Sequence, residues 1–211
     1  MKIINNIFLL FLLFLLFLFS NCSKEDSKIK INSILLFGDS LMSGYGLSEE
    51  NHLSNILEEN FKAEGYKIVV HSESVSGDTT SDGLNRIENL FSNKNYDLII
   101  IGLGANDMLR GIDPNLTKKN LENIIEIIQE KKINILLTGM VASPTRGLAY
   151  KNKFDKIFPD LKKKYDIYFM PFLLKDVALK PQYNQSDGIH PNSDGILLIS
   201  DNLKEIILDL M

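Results

Sequence analysis

Ile34-Leu35-Leu36-Phe37-Gly38-Asp39-Ser40-Leu41 reads ILLFGDSL. Four apolar residues follow one another with nothing polar between them, and a glycine, an acid and a hydroxyl then end the run. A strand with one face in water alternates apolar and polar side chains, whereas a strand buried on both faces does not. The stretch therefore predicts an interior strand that stops in a turn. By itself Gly38-Asp39-Ser40 serves equally as a plain turn, as a metal ligand through Asp39, or as a nucleophile through Ser40.

Further runs of the same kind follow at Ile68–His71, Leu98–Gly102, Ile133–Thr138 and, more weakly, Ile167–Met170. Between them apolar residues recur at helical spacing. Leu53, Ile56, Leu57 and Phe61 mark one helix, and Leu121, Ile124, Ile125 and Ile128 a second. Phe154, Phe158 and Leu161 mark a third, and Ile196, Ile199, Leu203 and Ile207 a last helix for which Ser193 is the expected N-cap. Strands alternating with helices imply a parallel sheet covered by helices on both faces, in one domain over residues 33–211. Ligands of such sheets bind beyond the carboxyl ends of the strands.

The chain has 211 residues, 45% hydrophobic and 24% charged, so it can bury a sizeable core. A net charge of −4 and a pI near 5.4 supply no basic surface for nucleic acid. The start of the chain differs in kind. Lys2 precedes an apolar run from Ile7 to Phe19, too short to span a bilayer and suited to a signal-peptide core. The single cysteine, Cys22, follows directly, where bacterial lipoproteins carry the cysteine that is acylated. Asn21 is bulkier than the residue usual before that cysteine, and an ordinary signal peptide or an uncleaved anchor are the competing readings. The expectation is a leader over 1–21, lipidation at Cys22 with membrane association through that anchor, a polar tether over 22–32, and an exported domain.

The strand ends carry the chemistry. After the first comes Asp39-Ser40, after the second Ser76-Gly77-Asp78, after the third Gly104-Ala105-Asn106-Asp107, and before the last helix Asp187-Gly188-Ile189-His190. A serine needs a base within hydrogen-bond reach to act as a nucleophile. Of three histidines, His52 opens a helix and reads as a surface or capping residue, and His71 reads as structural. His190 has Asp187 three residues before it, able to hold one imidazole nitrogen and leave the other facing a hydroxyl. Acyl transfer also requires donors for a developing oxyanion. The N–H of Ser40, the N–H of Gly77 and the side-chain amide of Asn106 are available. Singly, Gly77 reads as a plain loop residue and Asn106 as a helix cap; together, each in its loop, they point to acyl chemistry.

These blocks, GDSL with Ser40, SVSGDTTSDGLNRI with Gly77, LGANDMLRG with Asn106 and LKPQYNQSDGIHPN with Asp187 and His190, resemble those of the SGNH, or GDSL, hydrolases. With FDKIFPDLKKKYDI and PFLL they are most similar to the periplasmic thioesterase, lysophospholipase and arylesterase branch. The resemblance implies a flavodoxin-like three-layer α/β/α sandwich with a five-stranded parallel sheet. It implies Ser40 as nucleophile, His190 as general base and acid, Asp187 as its orienter, and Ser40, Gly77 and Asn106 as the oxyanion hole. It implies no metal or organic cofactor, and as partner a small acyl ester, thioester or lysophospholipid. Met108, where relatives often carry glycine, and Val141–Gly147 are expected along the acyl groove. Two other functions compete: O-deacetylation of a carbohydrate or cell-envelope polymer, and non-catalytic glycan or lipid binding. A metal or phosphoryl site built from Asp39, Asp107 and Asp187 has neither a phosphate loop nor metal-ligand spacing to accompany it.

Overall fold

The uninterrupted apolar runs become strands because both of their faces are covered. A computed structural model of the chain describes residues 28–91 and 95–211. Its strands are β1 (Ser33–Gly38), β2 (Val69–Ser72), β3 (Leu98–Gly102), β4 (Asn134–Thr138) and β5 (Tyr168–Met170). All pair in parallel, in the order β2-β1-β3-β4-β5. Every residue of β3 is buried, as is every residue of β1 after Ser33. β2 departs from the expectation of burial on both faces. It lies at the sheet edge, bonded to β1 alone, and Val69 is 48% exposed.

Eight helices among the described residues surround the sheet: α1 (Ser40–Ser43), α2 (Leu53–Ala63), α3 (Thr80–Arg86), α4 (Ala105–Arg110), α5 (Pro114–Glu130), α6 (Leu148–Phe154), α7 (Ile157–Tyr165) and α8 (Ser193–Leu210). α2 packs on α8, while α5 packs on α3 and α7. The apolar stripe of α5 (Leu121, Ile124, Ile125 and Ile128) is wholly buried, each side chain contributing about 1.5–3 kcal/mol of transfer free energy. Pro114 opens that helix and Asp113 caps it, its carboxylate accepting from Asn115 N. None of the described helices is long and apolar enough to cross a membrane.

Three expectations change. Phe154, Phe158 and Leu161 are buried as predicted but belong to two helices, because the chain breaks where the Asp155 carboxylate turns to Ala142 N and Lys151. The last helix is capped by Asn192, whose side chain accepts from Gly195 N at 3.0 Å; Ser193 is its first helical residue. The expected tether is part of the domain at its end: Ile31 is buried, and Ile29 N donates to Leu210 O at 2.8 Å. The expected leader over 1–21 and Cys22 lie outside the described residues.

The sheet order reverses between β1 and β3, which run side by side with Gly38 opposite Gly102. Neither position has room for a side chain. A Cβ on Gly38 would lie 2.8 Å from Gly102 O, and one on Gly102 would lie 2.3 Å from Met42 Cε. The two strand ends therefore approach closely, with Asp39 N donating to Gly102 O. Such a reversal opens a crevice at the carboxyl edge of the sheet, and the functional residues gather there.

Candidate active site

Ser40 is the first residue of α1, two residues beyond the end of β1. Its Oγ lies 2.9 Å from His190 Nε2, and His190 Nδ1 lies 2.6 Å from Asp187 Oδ2. The other Asp187 oxygen accepts from the backbone N–H groups of Ile189 and His190 at 2.8 and 3.0 Å. Gly188, with φ +69°, makes the turn that lets one carboxylate reach both backbone and ring. The ring and backbone hydrogen bonds from His190, then that from Ile189, hold the Asp187 carboxyl down to about 2. An ionised carboxylate only accepts, so the imidazole proton sits on Nδ1 and Nε2 is left to accept from the serine hydroxyl. The loop is fastened from both sides: Gln185 N donates to His190 O, and the Gln185 side-chain amide donates to Tyr45 O and Pro191 O. Tyr45 lays its ring against His190 with centroids 4.4 Å apart.

The donor side is built differently. Asn106 lies in the first turn of α4, where Gly104 rather than Asn106 occupies the cap position. Its Nδ2 donates to Asp78 O at 3.0 Å and has a longer, 3.4 Å contact with Asp39 Oδ2. Gly77 precedes Asp78 and has φ +89°, a conformation that favours glycine. Ser40, Asn106 and His190 all line one groove; Gly77 stands beside it, joined to Asn106 through the Asp78 carbonyl.

Asp39 is fully buried and caps α1, its Oδ1 accepting from Leu41 N at 3.0 Å. Burial away from water pushes its carboxyl up to about 7. The Leu41 and Asn106 hydrogen bonds work against that rise, and the charges of Asp107 and Asp78 add to it. Asp107, also fully buried, accepts from Thr80 N, Thr80 Oγ1 and Thr117 Oγ1. The three aspartates considered as a metal set thus have separate hydrogen-bond partners, and no group of three His, Cys, Asp or Glu among the described residues has a metal-holding arrangement. Of the other histidines, His52 stands at the cap position of α2 without capping it, its Nε2 placed 3.2 Å from Leu47 O instead. His71 lies in β2 with its ring edge-on to Tyr96.

The groove has a volume of about 450 Å³ and a mostly apolar wall that includes Met108, Met140, Phe172 and Leu174. Of the expected wall Val141–Gly147, residues 141 to 144 line it. Ala142 is pinned there, its N–H donating to Asp155 and its carbonyl accepting from Lys151 Nζ. A hydroxyl with a base at one end of an apolar trough suits attack on the carbonyl of an acyl group whose chain lies in that trough.

Two residues of this site escape a reading of the sequence. Tyr45 sits in a glycine-flanked loop with no pattern around it. Arg86 closes a helix, α3, whose buried residues are Thr80 and Gly83 rather than an apolar stripe.

The sequence profile of the GDSL-like lipase/acylhydrolase family matches residues 36–196. The chain is 35% identical over 161 residues to an arylesterase of Vibrio mimicus, covering 76% of this chain and 80% of that protein. It is 34% identical over 170 residues to thioesterase 1/protease 1/lysophospholipase L1 of Escherichia coli K12, covering 81% of this chain and 80% of that protein. Among solved structures, it is similar to the psychrotrophic esterase EstA of a Pseudoalteromonas species. There the TM-score is 0.81 at 30% identity, over 84% of this chain and 97% of the other.

Proposed function

This chain belongs to the GDSL-like lipase/acylhydrolase family and is a serine esterase of the SGNH type, and we propose that Ser40, His190 and Asp187 are its catalytic triad. Ser40 Oγ attacks the acyl carbonyl carbon while its proton passes to His190 Nε2. The carbonyl oxygen becomes an oxyanion, met by Ser40 N–H, Gly77 N–H and the Asn106 amide. His190 returns the proton to the departing alcohol, phenol or thiol, leaving the acyl group on Ser40. A water molecule, deprotonated by His190, then attacks the acyl carbon; the bond to Ser40 Oγ breaks as His190 returns the proton to that oxygen, and the carboxylic acid leaves. Asp187 stabilises the imidazolium formed in each half.

What carries this reading is the unbroken hydrogen-bonded line from Ser40 through His190 to Asp187, opening on an apolar groove. The groove favours aryl esters, short-to-medium acyl esters, thioesters and lysophospholipids as substrates. It offers few groups to recognise the hydroxyls of a sugar polymer, so the deacetylase reading gains nothing from it. Ser40→Ala tests the mechanism: hydrolysis of p-nitrophenyl butyrate is expected to fall by more than ~10³-fold, with the thermal melt unchanged. Turnover near that of the parent would sink the triad.

The sequence of residues 1–22 supports export as a lipoprotein attached through Cys22. Palmitate labelling of the expressed full chain, expected to be lost in Cys22→Ala, tests this; labelling that persists in the variant refutes it.

A further inference from the structure

Arg86, at the end of α3, reaches the segments that carry two of the three proposed oxyanion donors, Ser40 and Gly77, and is joined to the third, Asn106, through Asp78. Its Nε donates to Asp78 Oδ2 at 2.6 Å, its Nη1 to Glu73 O at 2.6 Å, and its Nη2 to Gly38 O at 3.2 Å. The guanidinium carbon lies 4.4 Å from the centre of the Phe37 ring, so the group is stacked as well as bonded. The side chain is 22% exposed and that of Asp78 12%, which shields the pair from solvent.

Each acceptor has a place relative to a donor. Gly38 lies two residues before Ser40, and its carbonyl also accepts from Val75 N at 3.0 Å. Asp78 follows Gly77 directly, and Glu73 stands four residues before it. Asp78 is the joint: its carboxylate is held by Arg86, while its carbonyl accepts from Asn106 Nδ2. A second cation completes the fastening, with Arg110 Nη2 donating to Gly77 O at 2.8 Å. A planar fork with five N–H groups reaches three acceptors from three separate nitrogens in fixed directions, whereas the three donors of an ammonium all sit on one shorter-reaching atom.

We propose that Arg86 is a positioning residue for the oxyanion hole, locking the Gly77 N–H and the Asn106 amide against the Ser40 turn before substrate arrives. It touches no reacting atom. It acts by removing the freedom of the 73–78 loop, whose dipoles would otherwise have to reorganise as charge develops on the substrate oxygen.

The inference rests on the esterase reading above, and the experiment separates the two. Arg86→Lys and Arg86→Ala are made alone and in an Asn106→Ala background, alongside Ser40→Ala, with p-nitrophenyl butyrate as substrate and a thermal melt for each protein. Arg86→Lys keeps the charge but loses the fork and is the informative variant if Arg86→Ala does not fold. The expected result is a kcat lower by ~10- to 10²-fold with KM within about 3-fold, a fraction of the loss from deleting a donor outright. The Arg86 effect should also shrink in the Asn106→Ala background, because the two residues act as one unit. A folded Arg86 variant with unchanged kcat, or losses that multiply independently of Asn106, overturns the proposal. Full activity in Ser40→Ala overturns the esterase mechanism instead.

Discussion

Asp187 reaches Ser40 through His190 and Asp39 precedes it in the chain, and the same side chain meets opposite fates. Asp187 is on an open loop, its side chain 39% exposed, and its carboxyl is held down to about 2 by hydrogen bonds from residues two and three positions away. Asp39 is fully buried at the end of β1, and burial pushes its carboxyl up to about 7. The proposed proton-handling side of the site is thus local, built within one short loop. The proposed donor side is half-buried, assembled from segments as far apart in sequence as Gly38 and Asn106. Charge is retained where a reaction uses it and suppressed where structure buries it.

The contrast breaks first at Asp187. Asp187→Asn leaves an amide able to hold the wrong imidazole tautomer, so kcat is expected to fall by about 10⁴-fold with little change in the thermal melt. A loss of stability comparable to the loss of activity would show that this loop is structural after all. Asn106→Ala comes next, with an expected loss of about 10²–10³ in kcat. Steady-state kinetics decide it, and a change confined to KM would make Asn106 a binding group instead.

The smallest effect sharpens the comparison through pH. Asp39 binds its proton more tightly folded than unfolded, so the stability linked to it is complete below the unfolded value near 4. That stability is lost as pH rises through about 7. Asp187 has the reverse sign: its contribution is present above the unfolded value and disappears only as pH falls through about 2. Between pH 4 and 7, then, Asp39→Asn should flatten the decline of unfolding free energy with pH, a slope of at most about 1.4 kcal/mol per unit for one group. Urea melts across that range measure it, and a variant with the parent's slope would contradict the assignment.

The same division explains what the sequence discloses. β1, β3 and β4 are legible because burial on both faces leaves an unmixed apolar run, and β2 misleads because an edge strand needs cover on one face only. The Asp187–His190 unit is legible because its partners are three residues apart. α3 is not, since it buries Thr80 and Gly83; a Cβ on Gly83 would lie 2.5 Å from Leu103, so close packing rather than an apolar stripe sets that helix against the sheet. Arg86 is hidden for a related reason. Two of its three acceptors are main-chain carbonyls, which any residue type supplies. Nor does any pattern announce that Asp39 is buried, because a carboxylate after a strand looks the same whether it faces water or the interior.

The first and last described turns of the chain are fastened together, Ile29 N to Leu210 O and Lys28 Nζ to Asp209 O. They meet at the edge of the sheet where the strands begin, about 20 Å, the length of a six-residue strand, from the edge where Ser40 and His190 sit. The fold therefore has a back and a front. A support joined directly to the Lys28–Ile29 or Asp209–Leu210 backbone would hold the described domain by the back, away from the front. Substrate would then arrive from the side away from that attachment point.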